Sequence, residues 1–370
     1  MGNPRPPEGT MLCPTTPKEA TMNTQKPVIA VLFGGRSDTR AVSQHSARAV
    51  IESIDRDRYR IVPVGIDPSG AWYVYGGSPD AIANGTWLHS PSLIPAAVSP
   101  NRHVHGLVLI ANGKKLRLDA ALPVLHGSGG EDGGVQGALQ LAGVPIVGCG
   151  AVGSALCADK ILSHRIARDA GIAVAHHAVV RATMQLKTMQ EAAALIGYPL
   201  YVKPPREGFS LGVSRVARPE QLEAALDLAF SFSGEALIEQ EIAGREIGVA
   251  VLGTTTLSFG VPDEVVLHGA VFDYREKHLR ETAEVRVPAR LADEEEKAVL
   301  ALAQRLYRLL ACTGFARIDL FLDEAGALFF NEANTIPDLT KRGRFPAMFA
   351  AAGISLTGVL TAAIEEAMAR

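Results

Sequence analysis

The chain has 370 residues, 47% of them hydrophobic and 20% charged, with a formal net charge of −3. That length supports two or three domains with sizeable cores, and the near-neutral balance excludes a nucleic-acid partner recruited by bulk charge. Cys13, Cys149, Cys157 and Cys312 are scattered with no CxxC pair, which excludes a disulfide frame or a cysteine zinc site and fits reduced thiols in the cytoplasm.

In chain order, residues 1–26 are proline-rich and polar and read as a disordered tail without a secretory apolar run. A near-continuous apolar run at 27–33, ending in Gly34 and Gly35, predicts a buried parallel strand. A helix over 43–54 and a strand over 59–65 complete a βαβ opening and predict an α/β layer architecture. Residues 120–125 read as another buried strand, 134–141 as a helix and 145–147 as a short strand. The second segment gives helices at 159–170, 190–196 and 222–230 and strands at 174–180, 200–204 and 236–240. The third gives strands at 246–252 and 257–260, then a polar stretch at 272–284 without periodicity, read as a long loop. A helix at 293–311 follows. The apolar stretch 347–364 is interrupted by Gly353 and Gly358 and predicts a packed terminal helix, so no membrane association is expected.

The segment GFARIDLFLDEAGALFFNEANTIPDLT, residues 314–340, carries the strongest chemical signal. It reads as a hairpin turning at 324–326. Period-two alternation puts Glu332 and Asn334 on one strand face, against which the hairpin can lay Asp319. Two carboxylates and an amide oxygen gathered there call for a hard cation such as Mg²⁺. Lys203 leaves a strand into a loop carrying Gly208, Ser210 and Gly212. Such a loop can cradle a phosphate, although no GxxxxGK[ST] is present and a plain hairpin turn fits equally. Lys160 at a helix start could add a phosphate contact or be solvated. His126, Glu131 and Asp132 lie on a glycine-rich loop that ends a buried strand, where open α/β sheets place ligands. The one GxGxxG, at 148–153, supports a rival NAD-dependent dehydrogenase. The acidic residue with the required spacing, Asp169, falls inside a helical run instead of at a strand end.

In order, VLFGGRS (31–37), LHGSGGEDGGVQG (125–137), ADK (158–160), YVKPPREG (201–208), GREIGVAVLG (244–253), FDYREK (272–277), ARIDLF (316–321) and NEANTIP (331–337) resemble the D-alanine–D-alanine ligases. The resemblance covers about residues 27–366. It implies a three-domain ATP-grasp fold with an N-terminal parallel-sheet domain (27–152), a central domain (153–242) and a C-terminal domain (243–370). It implies ATP held by Lys160, Lys203, Ser210, Glu239, Ile242 and Glu246, and two Mg²⁺ or Mn²⁺ ions held by Asp319, Glu332 and Asn334. Lys277 and Arg317 would steady the transferred phosphoryl group, His126 would join the catalytic loop, and 272–284 would form a lid. The implied reaction joins an amino-acid carboxylate to an amine through an acyl phosphate, in peptidoglycan-precursor synthesis by a cytoplasmic homodimer.

The amino-acid subsites depart from the family pattern. Thr39 stands where the family has the glutamate that binds the first ammonium, and Ala41 occupies a second acidic position. Phe209 replaces a serine and His278 a tyrosine of the same network. Asp338 replaces a glycine, and Gly343 the serine that receives the second carboxylate, with Lys341, Arg342 and Arg344 crowding that spot. A specialised paralogue acting on other amino-acid-like substrates is therefore the main alternative, ahead of a non-catalytic nucleotide-binding protein.

Overall fold

The computed structural model describes residues 25–37, 39–267 and 283–370. Lys277 and His278, and all but the end of the expected lid, lie outside the described residues. Three sheets succeed one another along the chain.

The first sheet contains β1 (Val28–Gly34), β2 (Arg60–Ile66), β3 (Trp72–Tyr75), β4 (Leu93–Val98), β5 (Gly106–Leu109), β6 (Lys115–Arg117) and β7 (Ala120–Pro123), in the order β6-β5-β4-β3-β2-β1-β7. The apolar run of β1 is unbroken because both its faces are covered. Ile29, Val31 and Phe33 enter one core with Ala47, Val50 and Ile51 of helix α1 (Arg40–Ser53), whereas Ala30 and Leu32 enter another. The second core takes Val135 and Leu139 from the helix Gly134–Leu141. Two-sided burial is the condition under which parallel strands are stable, and β1 pairs in parallel with β2 and β7. The parallel character ends there: β2 to β6 form an antiparallel meander, so the sheet is mixed.

The second sheet, β8 (His177–Arg181), β9 (Leu200–Lys203), β10 (Ser214–Val216) and β11 (Glu235–Gln240), has the order β10-β9-β11-β8 and is antiparallel. Between the first two sheets come the helices Ala151–Ala158 and Lys160–Asp169. The GxGxxG at 148–153 thus runs into two successive helices, and Asp169 is the last residue of the second, so the dinucleotide context is missing.

The third sheet contains β12 (Gly244–Leu252), β13 (Ser258–Phe259), β14 (Asp263–Leu267), β15 (Ala283–Arg286), β16 (Phe315–Asp323) and β17 (Leu328–Asn334), in the order β15-β14-β12-β16-β17 with β13 beside β12. Alternation sorts its faces. Ile247, Val249 and Val251 of β12 join Ala316, Ile318 and Leu320 of β16 in a core closed by Val299, Ala303 and Leu306 of the helix Asp293–Leu309. The opposite face carries Glu246, Gly248, Arg317 and Asp319, the functional side.

The apolar C-terminal stretch is two helices, Arg344–Ala351 and Leu356–Ala369, bent by 100°. Gly353, at φ +81°, ends the first, and Ser355 caps the second by accepting from the Gly358 amide. Among the described residues no single helix is long and apolar enough to cross a membrane. The apolar side chains are used at home: Val359, Leu360, Ala363 and Ile364 pack under the first sheet.

Candidate active site

The registers of β12, β16 and β17 decide which polar groups meet. Asp319 lies opposite Glu332 on β17 and Gly248 on β12, Arg317 lies opposite Asn334, and Asp263 of β14 also pairs with Gly248. Each acid in this set has a cation against it. Arg317 donates from Nε and Nη2 to the two oxygens of Asp319, both at 2.7 Å. Lys160 Nζ lies 3.2 Å from Glu332 Oε2. Arg344, from the first turn of Arg344–Ala351, donates to both Asp263 oxygens at 2.7 Å and to Glu246 Oε1 at 2.7 Å, and its Nη2 lies 3.8 Å from Asp319. Burial alone would depress this guanidinium, but Asp263, Asp319 and Glu246 outweigh it and hold it above its ordinary value. Gly248 makes the arrangement possible, because a Cβ there would sit 2.5 Å from Arg344 Nη2 and 2.5 Å from Asp263 Oδ1.

Asp319, Glu332 and Asn334 form an all-oxygen donor set, and the side-chain cations now on the two acids mark where positive charge is favoured. The set fits a hard divalent cation.

On the second sheet, Lys203 Nζ donates to Glu239 Oε1 at 2.6 Å. Glu239 is buried, which would raise its pKa, yet Lys203 and His164 pull it below the usual carboxylate range. His164 itself is pushed down to about 4 by burial and is neutral at physiological pH. The loop after β9 is tied to the start of Lys160–Asp169. Asp159 caps that helix through the Ile161 and Leu162 amides and takes Arg206 Nε at 2.7 Å, and Lys160 Nζ donates to the Glu207 carbonyl at 3.0 Å. Phe209 and Ser210 follow with φ of +53° and +59°, a conformation that costs non-glycine residues energy and is found where a loop is held for use. Ser210 and Ile242 are half-buried.

The first sheet contributes the glycine-rich loop after β7. His126 is buried, its Nδ1 3.8 Å from Glu131 Oε1 and its ring edge-on to Phe209 with centroids 5.2 Å apart. Thr39 is buried too. Its hydroxyl lies 2.5 Å from that of Ser37, which donates to the His126 carbonyl. Asp338 holds the Thr340 amide and hydroxyl and accepts from Ser46 of α1, and Gly343 caps the helix beginning at Arg344.

A cleft of about 480 Å³ joins these regions. Lys160, Arg317, Glu332 and Asn334 line it together with Phe209, Asp338, Gly343 and Arg344. Thr39, His126, Asp319, Lys203, Ser210, Glu239, Ile242 and Glu246 lie off its wall. Asp263, which anchors Arg344, was not singled out in the sequence. A lone aspartate following proline carries no periodic or motif signal.

Three sheets around a cleft, with an oxygen-donor set on one and an anchored lysine loop on another, are consistent with the ATP-grasp architecture. Comparison with known proteins identifies its kind. The family descriptions "D-ala D-ala ligase N-terminus" and "D-ala D-ala ligase C-terminus" match residues 28–149 and 166–365. D-alanine–D-alanine ligase A of Escherichia coli is 37% identical over 348 residues, covering 92% of this chain and 96% of that protein. The vancomycin C-type resistance protein VanC1 of Enterococcus gallinarum is 39% identical over 339 residues, covering 88% and 94%. The crystal structure of the VanG D-Ala:D-Ser ligase of Enterococcus faecalis superposes with a TM-score of 0.85 at 40% identity, covering 93% of this chain and all of that one. The chain belongs to the D-alanine–D-alanine ligase family. It is an ATP-dependent ligase that uses a divalent metal and acts on small amino-acid substrates.

Proposed function

We propose that the enzyme activates D-alanine as an acyl phosphate and couples it to a second D-alanine in peptidoglycan-precursor synthesis. The observation that carries this is that Glu332 and Asn334 line the cleft with Arg317 and Lys160, and that Asp319 sits directly behind that wall, opposite Glu332 and bound to Arg317. Residues 27–152, 153–242 and 243–370, each holding one sheet, act as the three domains. Lys160, Lys203 and Ser210 bind the nucleotide phosphates, and Glu239, Ile242 and Glu246 take the base and ribose. Asp319, Glu332 and Asn334 would hold two Mg²⁺ or Mn²⁺ ions, which would supply positive charge to neutralise the phosphates.

One carboxylate oxygen of the first substrate attacks the γ-phosphorus in line. The bond to the β-phosphate oxygen breaks, and ADP leaves. Arg317 and Lys277 steady the charge on the transferred phosphoryl group. The amine of the second substrate then attacks the acyl carbon, loses a proton and expels phosphate. Arg317 and a backbone amide near Asp338 stabilise the tetrahedral oxyanion. His126 and Glu131 orient the first substrate from the glycine-rich loop.

A second reading, a specialised paralogue with another donor or acceptor, is favoured by Thr39. A buried hydroxyl already bound to Ser37 leaves no carboxylate at that position for an ammonium, and an unpaired buried charge costs several kcal/mol. The E. coli relative is named for D-alanine and the E. faecalis enzyme for D-serine, so the second substrate differs among relatives. Phosphate release measured across D-amino acids, L-amino acids and hydroxy acids separates the readings. Strong turnover with D-alanine alone establishes the first, and turnover only with another pair establishes the second. No release with any pair would overturn both.

A further inference from the structure

His164, His177 and Glu239 bring one ligand atom each to within 4.8 Å of one another, beneath the second sheet and apart from the oxygen-donor set. The hydrogen bonds around them fix which atoms are free. His164 Nε2 lies 2.7 Å from the Asn331 carbonyl and must carry the proton there, so Nδ1 presents a lone pair. His177 Nδ1 lies 3.0 Å from the Ala175 carbonyl, which leaves Nε2 as its lone-pair nitrogen. Glu239 Oε1 is held by Lys203, leaving Oε2. His164 Nδ1 and Glu239 Oε2 face each other at 3.8 Å, both buried and neither with a hydrogen-bond partner. Two buried acceptors aimed at each other are costly, and a cation between them removes the cost.

We infer that His164, His177 and Glu239 form a binding site for a divalent transition-metal ion of the zinc class, with the buried Glu239 side chain serving the ion and Glu239 contributing to the proposed nucleotide pocket through its backbone. Two imidazoles and one carboxylate are the ligands such an ion takes, with a fourth position open to water. Tetrahedral bond lengths of ~2.0–2.2 Å put ligand atoms about 3.4 Å apart, close to the 3.8 Å between His164 Nδ1 and Glu239 Oε2; the His177 ring must close in from within the 4.8 Å that bounds the set. The outer contacts are those of a metal centre: each imidazole gives its second nitrogen to a carbonyl, and the carboxylate is oriented by Lys203. His177 is half-buried and lines a surface depression with Ala192, Leu195 and Gln240, which gives the ion a way in. Nitrogen ligands select against Mg²⁺, so this site and the acid set take different ions.

The test is titration of the chelator-treated full chain with Co²⁺, read by visible absorption. One ion per chain with the intense bands of a four-coordinate centre is expected. His177→Ala or His164→Gln should weaken binding at least tenfold and abolish those bands. Glu332→Gln, whose effect falls on turnover, should leave affinity within twofold, so failure here and failure of the ligase reading are separable. Bands that survive in His177→Ala would overturn the inference, as would weak octahedral absorption lost in Glu332→Gln. Failure to bind Co²⁺ would also overturn it and would mean that a shared proton alone joins His164 and Glu239. X-ray absorption of the Zn²⁺-loaded wild type reads the ligands without any variant, and a shell lacking two imidazoles would equally overturn it.

Discussion

Arg344→Met removes the guanidinium that pairs with Asp263. Asp263 is fully buried, and its two oxygens take Arg344 at 2.7 Å each, while the third guanidinium nitrogen holds Glu246. Methionine fills much of the volume but leaves a buried carboxylate with, among the described residues, the Gly248 amide 3.0 Å away as its remaining donor. Breaking a buried pair from one side costs about 3–5 kcal/mol, and at a few degrees per kcal/mol the melting transition should fall by roughly 5–15 °C. Asp263→Asn keeps an acceptor for Gly248 and removes the charge. In the Arg344→Met/Asp263→Asn double variant the buried Asp263 charge is gone and the partly buried Glu246 is the carboxylate still deprived of Arg344, so its loss should be at least about 2 kcal/mol smaller than the sum of the single losses. Denaturant midpoints of the four proteins close the cycle. Additive losses, or an Arg344→Met protein within about 1 kcal/mol of wild type, would show that the pair does not hold the third sheet to the helix Arg344–Ala351.

That pair also shows where sequence reading stops. The hairpin of β16 and β17 is legible because its face is set by alternation, a rule local to each strand. The helices Gly134–Leu141 and Leu222–Phe230 are legible to the residue for a similar reason: their apolar periodicity begins and ends sharply. Strands β3 to β6 are not. They are short and half-exposed, and β4 carries a proline, Pro95, which reads against a strand in the sequence. Nothing marks them until β2 offers an edge to pair with. The break after Ala351 was hidden because apolar residues continue on both sides of Gly353. In the site, Asp319, Glu332 and Asn334 could be grouped from spacing alone. The Arg344 to Asp263 contact spans 81 residues, and only the fold brings those charges together. His164 and His177, on a helix and a strand, are likewise isolated in sequence and adjacent in space.

Glu332→Gln keeps the side-chain shape and removes the charge facing Lys160. Phosphate release should fall by at least about 10³-fold, with circular dichroism unchanged, and residual activity within tenfold of wild type would exclude Glu332 from the metal set. Gly127→Ala forces a Cβ onto a residue at φ +74°, 2.8 Å from Ser37 Oγ and 3.0 Å from Thr39 Oγ1. A loss of about 2 kcal/mol is expected by thermal denaturation, and unchanged stability would mean that the Ser37 and Thr39 cluster is loose. The pairing of Thr39→Glu with Phe209→Ser tests the first-substrate pocket. Thr39 is buried against the Ser37 hydroxyl and Phe209 covers the His126 ring, so the two changes together install a carboxylate and the space to orient it. Serine bears the positive φ of position 209 about as well as phenylalanine does, so the loop need not move. A carboxylate opposite the substrate ammonium recovers several kcal/mol of pairing, which should lower the KM for D-alanine at least tenfold while leaving that for ATP unchanged. If the preference among amino acids stays as in the wild type, positions 39 and 209 do not form the donor pocket, and the first substrate is held elsewhere in the cleft.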